Sequence, residues 1–200
     1  YLDKTFSRMM WFKTTSVYLA IRNGFNVLFQ DVDLVWIKDP IRYFEKLHSG
    51  YPIRNKNEKG NLVISGTGIK YDVSFMDDGA RTPRYTPFFV NSGFYYVQYN
   101  NRTKYFQEKM MKCSASEIGY SHSHQSVMIK HLAETHHLSG MQIYVLDRDL
   151  FPSGQAYHER KKYIQKITEQ KYRPFVFHMC WTSNRVDKVK YFKEMKLWYV

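Results

Sequence analysis

Cysteine is scarce in this chain, and long apolar runs are missing. Two cysteines in 200 residues, Cys113 and Cys180, cannot build a disulfide framework. Neither stands in a C-x-x-C pair, so thioredoxin-like and zinc-knuckle motifs are excluded while the redox compartment stays open. No apolar stretch approaches the roughly 18 residues that a membrane helix needs, and no charged-then-apolar leader opens the chain. Ser/Gly-rich, Pro-rich and single-charge tracts are absent, as are internal repeats, so nothing marks a linker or a disordered tail. Acidic residues are few, 18 against 30 basic ones, for a formal charge of +12. That balance favours anionic partners and raises nucleic acid as a candidate. The basic residues are dispersed, however, and no Walker loop or aromatic RNP signature accompanies them. A solvated basic surface, suited to an acidic glycan, is the simpler account.

What is present is apolar and aromatic: 44% hydrophobic and 18% aromatic residues make the chain globular. Its length fits a single domain, 1–200, with room for a sizeable core. Phe6, Met9, Met10, Lys13, Val17, Ala20 and Ile21 follow helical spacing, with Asn23-Gly24 as the stop. Asn26 to Gln30 reads as a buried strand. Asp39-Pro40 supplies an N-cap and a first-turn proline ahead of a short helix, Ile41 to Leu47. Phe88 to Gln98 reads as a core strand interrupted by Asn91-Ser92-Gly93, where a glycine permits close backbone approach. Further helices are expected over Arg102 to Lys112, Ser123 to Ala133, His158 to Glu169 and Asn184 to Lys196, with short buried strands at Ile143 to Leu146 and Pro174 to Phe177. Alternating strands and helices predict an α/β sandwich with a mostly parallel sheet. Ligands of such sheets sit beyond the strands' carboxyl ends.

Asp31-Val32-Asp33 stands at such an end. Carboxylates beside an apolar core must be paired, hydrated or bound to an ion, and Leu34-Val35-Trp36-Ile37 follows at once. Hard divalent cations prefer carboxylate oxygens and complete their shell with water and substrate phosphates. The pair therefore reads as a metal-diphosphate clamp, against the alternative of a solvated turn or helix caps.

Lys13 and the run Asn23-Gly24-Phe25-Asn26-Val27-Leu28-Phe29-Gln30-Asp31-Val32-Asp33-Leu34-Val35-Trp36-Ile37-Lys38-Asp39-Pro40 resemble the D-x-D-x-x-W-x-x-D-P core of one family. It is the nucleotide-diphospho-sugar transferases that include the rhamnogalacturonan xylosyltransferases. Asn91-Ser92-Gly93-Phe94-Tyr95-Tyr96, Phe151-Pro152-Ser153-Gly154 and His178-Met179-Cys180-Trp181-Thr182 match in the same order, over nearly the whole chain. The resemblance implies a GT-A-like, Rossmann-related three-layer sandwich whose first nucleotide-binding strand precedes Tyr1. It also implies a retaining glycosyltransferase that uses a nucleotide sugar, most simply UDP-linked, with Mn²⁺ or Mg²⁺ as cofactor and a glycan or glycoprotein as acceptor. The setting it implies is the Golgi or secretory lumen, with any membrane attachment through a segment outside this chain. The sequon Asn101-Arg102-Thr103 is compatible with that lumen.

The same resemblance makes His178 the third metal ligand beside Asp31 and Asp33; the alternative is a hydrogen-bonded core histidine. Lys13 either packs its stem with the amine in water or directs its charge at the donor diphosphate. Arg185 and Lys188 either face solvent or neutralise the departing nucleoside diphosphate. Asn91 corresponds to an amide set against a sugar, or it satisfies turn geometry before Gly93. Asp77-Asp78-Gly79 is most simply a turn, with a second carboxylate cluster that holds sugar hydroxyls as the alternative. Trp181 is core or pocket wall. Where the family carries an Asp-Gln pair near the sugar, this chain has His124-Gln125 at a helix start capped by Ser123. Gln125 keeps a contact with the transferred sugar under this reading, and His124 replaces an acid; the alternative is a capped helix start with no catalytic task. The competing readings are a catalytically silent homologue that binds glycan or nucleotide sugar, and a basic nucleic-acid module.

Overall fold

The computed structural model describes residues 4–66, 68–79, 89–121 and 123–199. Phe88 and Tyr1, which figure in the sequence expectations, lie outside the described residues. The chain begins with α1 (Lys4–Arg22), and Gly24, at φ +86°, takes the left-handed turn that ends it. β1 (Val27–Gln30) and β2 (Leu34–Trp36) flank the D-x-D tripeptide. Then come α2 (Ile41–His48), the hairpin of β3 (Ile53–Lys56) and β4 (Leu62–Ser65), β5 (Val73–Asp77) and β6 (Val90–Val97). α3 (Asn101–Ser121) and α4 (His124–Ser139) follow, then β7 (Ile143–Val145), α5 (Gly154–Glu159), α6 (Lys161–Thr168), β8 (Val176–His178) and α7 (Arg185–Glu194). The N-cap expected at Asp39 falls one residue later, at Pro40, and Asp39 stands just before it, accepting from the Ile41 amide at 2.8 Å.

The central sheet has the order β1-β6-β5-β7. β1 pairs antiparallel with β6, β6 antiparallel with β5, and β5 parallel with β7. The expected mostly parallel sheet is therefore corrected to a mixed one in which β6 runs against its three companions. Helix and strand periodicity carries no information on strand direction, and β6 enters the sheet between two strands that precede it in the chain. The expected helix over His158 to Glu169 also breaks in two at Arg160, whose guanidinium reaches Asp149 at 2.6 Å and stacks on Tyr163. Among the described residues no helix is long and apolar enough to cross a membrane.

Both faces of the sheet are covered, which the strict alternation of side chains requires. Val27, Phe29, Val73, Phe75, Tyr95 and Val97 pack against α1, α3 and α4 through Val17, Ile21, Phe106, Met110, Val127 and Leu132. Leu28, Met76, Phe94 and Tyr96 face the other way, onto α2 and the segment carrying Phe151. Aromatics dominate that second cluster: Phe44 stacks on Tyr96 at 5.3 Å and Phe151 on Phe175 at 5.2 Å. A third cluster joins α5, α6 and α7 to β8.

His48, 3% exposed, joins α2 to the sheet: Nδ1 donates to the Tyr71 carbonyl at 2.7 Å and Nε2 accepts from Ser74 Oγ at 3.0 Å. Burial pushes its pKa down to about 4 from 6.5, although the Tyr71 carbonyl opposes the shift. The folded protein then refuses a proton that the unfolded chain accepts, so stability is full above pH 6.5 and falls as the pH drops toward 4. The loss through this one group is on the order of 3 kcal/mol. Urea midpoints measured between pH 7 and pH 4 should show it, and His48→Gln should flatten the profile by about one proton.

Candidate active site

Three strand ends converge on one point because of the pairing registers. β1 ends at Gln30 opposite Phe94, and the Asp31 amide donates to the Gly93 carbonyl at 2.7 Å. Leu34 of β2 is paired with His178 of β8, and the Met179 amide donates to the Asp33 carbonyl at 2.9 Å. On β6 the register with β5 jumps from Phe75↔Tyr95 to Met76↔Asn91. Ser92, Gly93 and Phe94 thus form a bulge that re-aims the backbone toward the aspartates. The interruption foreseen at Asn91-Ser92-Gly93 is this bulge. Phe151-Pro152-Ser153-Gly154 supports His178 from behind: the His178 amide donates to the Pro152 carbonyl at 3.1 Å, and Ser153 bridges to it. Gly154 lies so close to the Cys180 backbone that a Cβ would strike the Cys180 carbonyl oxygen.

Asp31, Asp33 and His178 each bring one ligand atom within 4.8 Å of the others. Each carboxylate also meets a lysine, Lys13 Nζ at 2.5 Å from Asp31 Oδ1 and Lys188 Nζ at 2.5 Å from Asp33 Oδ2. His178 Nε2 lies 3.3 Å from Asp33 Oδ1. Burial alone would raise the Asp33 pKa, but the hydrogen bonds and charge of His178 and Lys188 prevail and hold it far below the usual carboxylate range. Asp33 therefore stays ionised at any physiological pH.

Two observations test whether these residues fit a metal. His178 is 2% exposed, and its Nδ1 is buried without a hydrogen-bond partner among the described residues. A Cβ on Gly93 would overlap His178 Cε1 and lie 2.7 Å from Asp31 Oδ2, so the absence of a side chain is what leaves the space between the ligands. Two carboxylates and one imidazole suit Mn²⁺, and Mg²⁺ less well.

The other foreseen residues line the same cleft, of about 1170 Å³. Asn91 is committed at both ends, accepting from the Gly93 amide at 2.8 Å and donating to Asp78 Oδ1 at 2.9 Å, as turn geometry requires. Asp77 accepts from the Gly79 amide at 2.7 Å, which makes Asp77-Asp78-Gly79 the expected turn. Gln125, in the first turn of α4, accepts through its amide oxygen from Ser92 N at 2.9 Å and Ser92 Oγ at 3.1 Å. His124, 8% exposed, leaves Nε2 without a partner among the described residues. Burial, helped by the Lys13 charge, pushes its pKa down to about 3, so it is neutral. Ser121 closes α3 and Ser123 caps α4. Arg185 opens α7 and is exposed, while Lys188, one turn on, reaches Asp33. Trp181 is pocket wall: it is 49% exposed, at φ +60°, and its indole donates to the Asp78 carbonyl at 2.7 Å. Burial raises the Cys180 thiol to about 12, so it is an inert neighbour of the site.

Ser92 and Asp78 are contacts that no local pattern announces. The first holds Gln125 and the second holds Asn91, each across a long stretch of chain.

An α/β domain whose strand ends meet in one cleft, with paired carboxylates rimmed by lysines, is of the class that binds ligands beyond its strands. The chain belongs to the nucleotide-diphospho-sugar transferase family, whose model matches residues 1–192. It is 25% identical over 88% of its length to UDP-D-xylose:L-fucose alpha-1,3-D-xylosyltransferase 1 of Arabidopsis thaliana. It is 26% identical over 98% of its length to a beta-arabinofuranosyltransferase of the same plant. Over 90% of its length it is 26% identical to the UDP-galactose:fucoside alpha-3-galactosyltransferase of Dictyostelium discoideum. The chain spans 46%, 35% and 26% of those relatives' own lengths. No solved structure matches it.

Proposed function

We propose that this chain is a metal-dependent glycosyltransferase domain, moving a sugar with retention from a UDP-linked donor to a glycan or glycoprotein acceptor. The observation that carries the reading is the convergence of Asp31, Asp33 and His178 in a lysine-rimmed cleft, within a nucleotide-diphospho-sugar transferase. UDP as the carrier draws support from the UDP-sugars in the relatives' names. By resemblance the setting is the Golgi or secretory lumen.

Asp31, Asp33 and His178 would hold the metal, which when bound supplies Lewis-acid stabilisation of charge on the diphosphate. The two lysines then have a double role. Without donor they neutralise the aspartates; with the carboxylates given over to a metal, Lys13 and Lys188 would be free to contact phosphate oxygens and stabilise the leaving UDP. Arg185 adds charge at the mouth. Asn91 keeps the Gly93 bulge in shape beside the sugar. Gln125, its oxygen held by Ser92, turns its amide N–H to the sugar, and neutral His124 offers a ring nitrogen to a sugar hydroxyl or carboxylate.

Released UDP, measured over a panel including UDP-xylose and UDP-galactose with Mn²⁺ and with chelator, tests the reading. Mn²⁺-dependent release is expected; UDP binding without turnover on any donor would favour the silent homologue, which the replacement of the family's acid by His124 also permits. His124→Asp should lower transfer at least about ten-fold with the far-UV spectrum unchanged, since it exchanges a neutral donor or acceptor for a buried charge beside Lys13. Unchanged rates and donor preference in that variant would remove His124 from the sugar site.

A further inference from the structure

Away from the cleft, α3 and α4 pack against each other over a second cluster of metal-ligating groups. Cys113 and Glu117 stand four residues apart on α3 and so share a face. His131 meets them from α4, and the Cys113 Sγ, one Glu117 carboxylate oxygen and one His131 ring nitrogen all lie within 4.8 Å of one another. His131 is 1% exposed, with Nε2 3.2 Å from Glu117 Oε2 and Nδ1 3.2 Å from Glu134 Oε2. A neutral imidazole carries one N–H and can donate to only one of these carboxylates. The outer oxygens of the same carboxylates are engaged by lysines, Lys130 on Glu117 Oε1 at 2.8 Å and Lys109 on Glu134 Oε1. A chain of ion pairs accounts for the carboxylates and lysines. It leaves the Cys113 thiol, which is free and makes no hydrogen bond among the described residues, without a role.

We propose that Cys113, Glu117 and His131 form a second metal site, for an ion of the zinc class, with Glu134 orienting the histidine. A thiolate, an imidazole and a carboxylate are the donor set that borderline-soft Zn²⁺ selects, whereas Mn²⁺ and Mg²⁺ prefer oxygen. Tetrahedral zinc, with bonds of about 2.0–2.3 Å, holds its donors roughly 3.3–3.8 Å apart. Cys113 and Glu117 are only partly buried, so their side chains have room to turn toward that spacing. Glu117 can serve through Oε2 while Oε1 keeps Lys130. Glu134 on the other ring nitrogen is the carboxylate partner that fixes the tautomer of a metal-bound histidine. Coordination releases the Cys113 proton to solvent, and thiolate, carboxylate and Zn²⁺ sum to a neutral site. A water completes the fourth position. The ion ties α3 to α4, the helix whose first turn carries His124 and Gln125 into the cleft.

The test uses full-length protein with Co²⁺ as the coloured substitute for Zn²⁺. Wild type should develop a thiolate-to-cobalt charge-transfer absorption that Zn²⁺ abolishes by displacement. The band should persist in Cys180→Ser, which removes the thiol near the cleft, and in Asp33→Ala, which empties the donor site. It should vanish in Cys113→Ser and weaken at least ten-fold in affinity in Glu117→Gln. Zn²⁺ should raise the melting temperature of Asp33→Ala, whose donor site is disabled, and leave that of the double variant Asp33→Ala, Cys113→Ser unchanged. No band in wild type, or a band that survives Cys113→Ser and is lost in Cys180→Ser, would overturn the site. Since Asp33→Ala retains the band, failure here and failure of the glycosyltransferase reading are distinguishable.

Discussion

Asp33→Ala should abolish Mn²⁺-dependent binding of UDP and, with it, sugar transfer, while leaving the protein folded. Asp33 is the residue on which the site's charges meet: His178 approaches one carboxylate oxygen at 3.3 Å and Lys188 the other at 2.5 Å. Removing it deprives a divalent ion of a ligand and leaves the Lys188 ammonium, without its counter-charge, facing the place the ion must occupy. Both effects act against binding, and a loss of at least about a hundred-fold is expected from one carboxylate. Stability should change by only about 1–2 kcal/mol, because Lys188 is partly exposed and can turn to solvent. Calorimetric titration of UDP with Mn²⁺, alongside urea denaturation, separates the two. Undiminished UDP affinity in the variant would take Asp33 out of the site.

Gly93→Ala should be nearly as damaging, and for a steric reason. The backbone of Gly93 is not left-handed, so alanine meets no conformational penalty there. Its methyl group would instead strike the His178 ring and stand 2.7 Å from Asp31 Oδ2 and 3.0 Å from Asn91 Oδ1. His178 is held by its own backbone pairing to Leu34 and Pro152, so the overlap is relieved by pushing the ligands apart. Metal affinity and transfer should fall together by at least about a hundred-fold, with helix content unchanged. Gly24→Ala is the control: its φ of +86° strains an alanine while nothing lies within 4 Å. It should lower stability by about 1 kcal/mol and leave UDP binding intact. If Gly93→Ala bound Mn²⁺ and UDP as wild type does, the space it guards would not be the metal's.

The parts of the fold that were legible in the sequence are those with a local cause. Asn23-Gly24 ends α1, Asp39-Pro40 leads into α2, and the apolar run before Asp31 is β1, each set by residues a few positions apart. The carboxylates and His178 were legible as strand-end residues, but their meeting depends on Leu34 pairing with His178 and on Gln30 pairing with Phe94, which no periodicity encodes. The reversal of β6 escaped for the same reason. The β3–β4 hairpin was missed because polar Arg54, Asn55 and Lys56 hide its alternation. Lys13 shows how tertiary pairing places a residue that spacing leaves open: its amine lies over the Phe29 ring and lands on Asp31. The cluster of Cys113, Glu117 and His131 lies on two helices whose register only the tertiary packing sets.

The central claim is that Asp31, Asp33 and His178 together hold the metal that binds the donor diphosphate. A crystal structure of the full-length protein grown with Mn²⁺ and UDP, with anomalous scattering to locate manganese, tests it most directly. The account predicts one manganese peak about 2.2 Å from an Asp33 oxygen and a His178 ring nitrogen, touching Asp31 directly or through water, with Lys13 and Lys188 moved from the aspartates onto phosphate oxygens. UDP bound in the cleft with no manganese beside these residues, and both lysines still on their carboxylates, would contradict it.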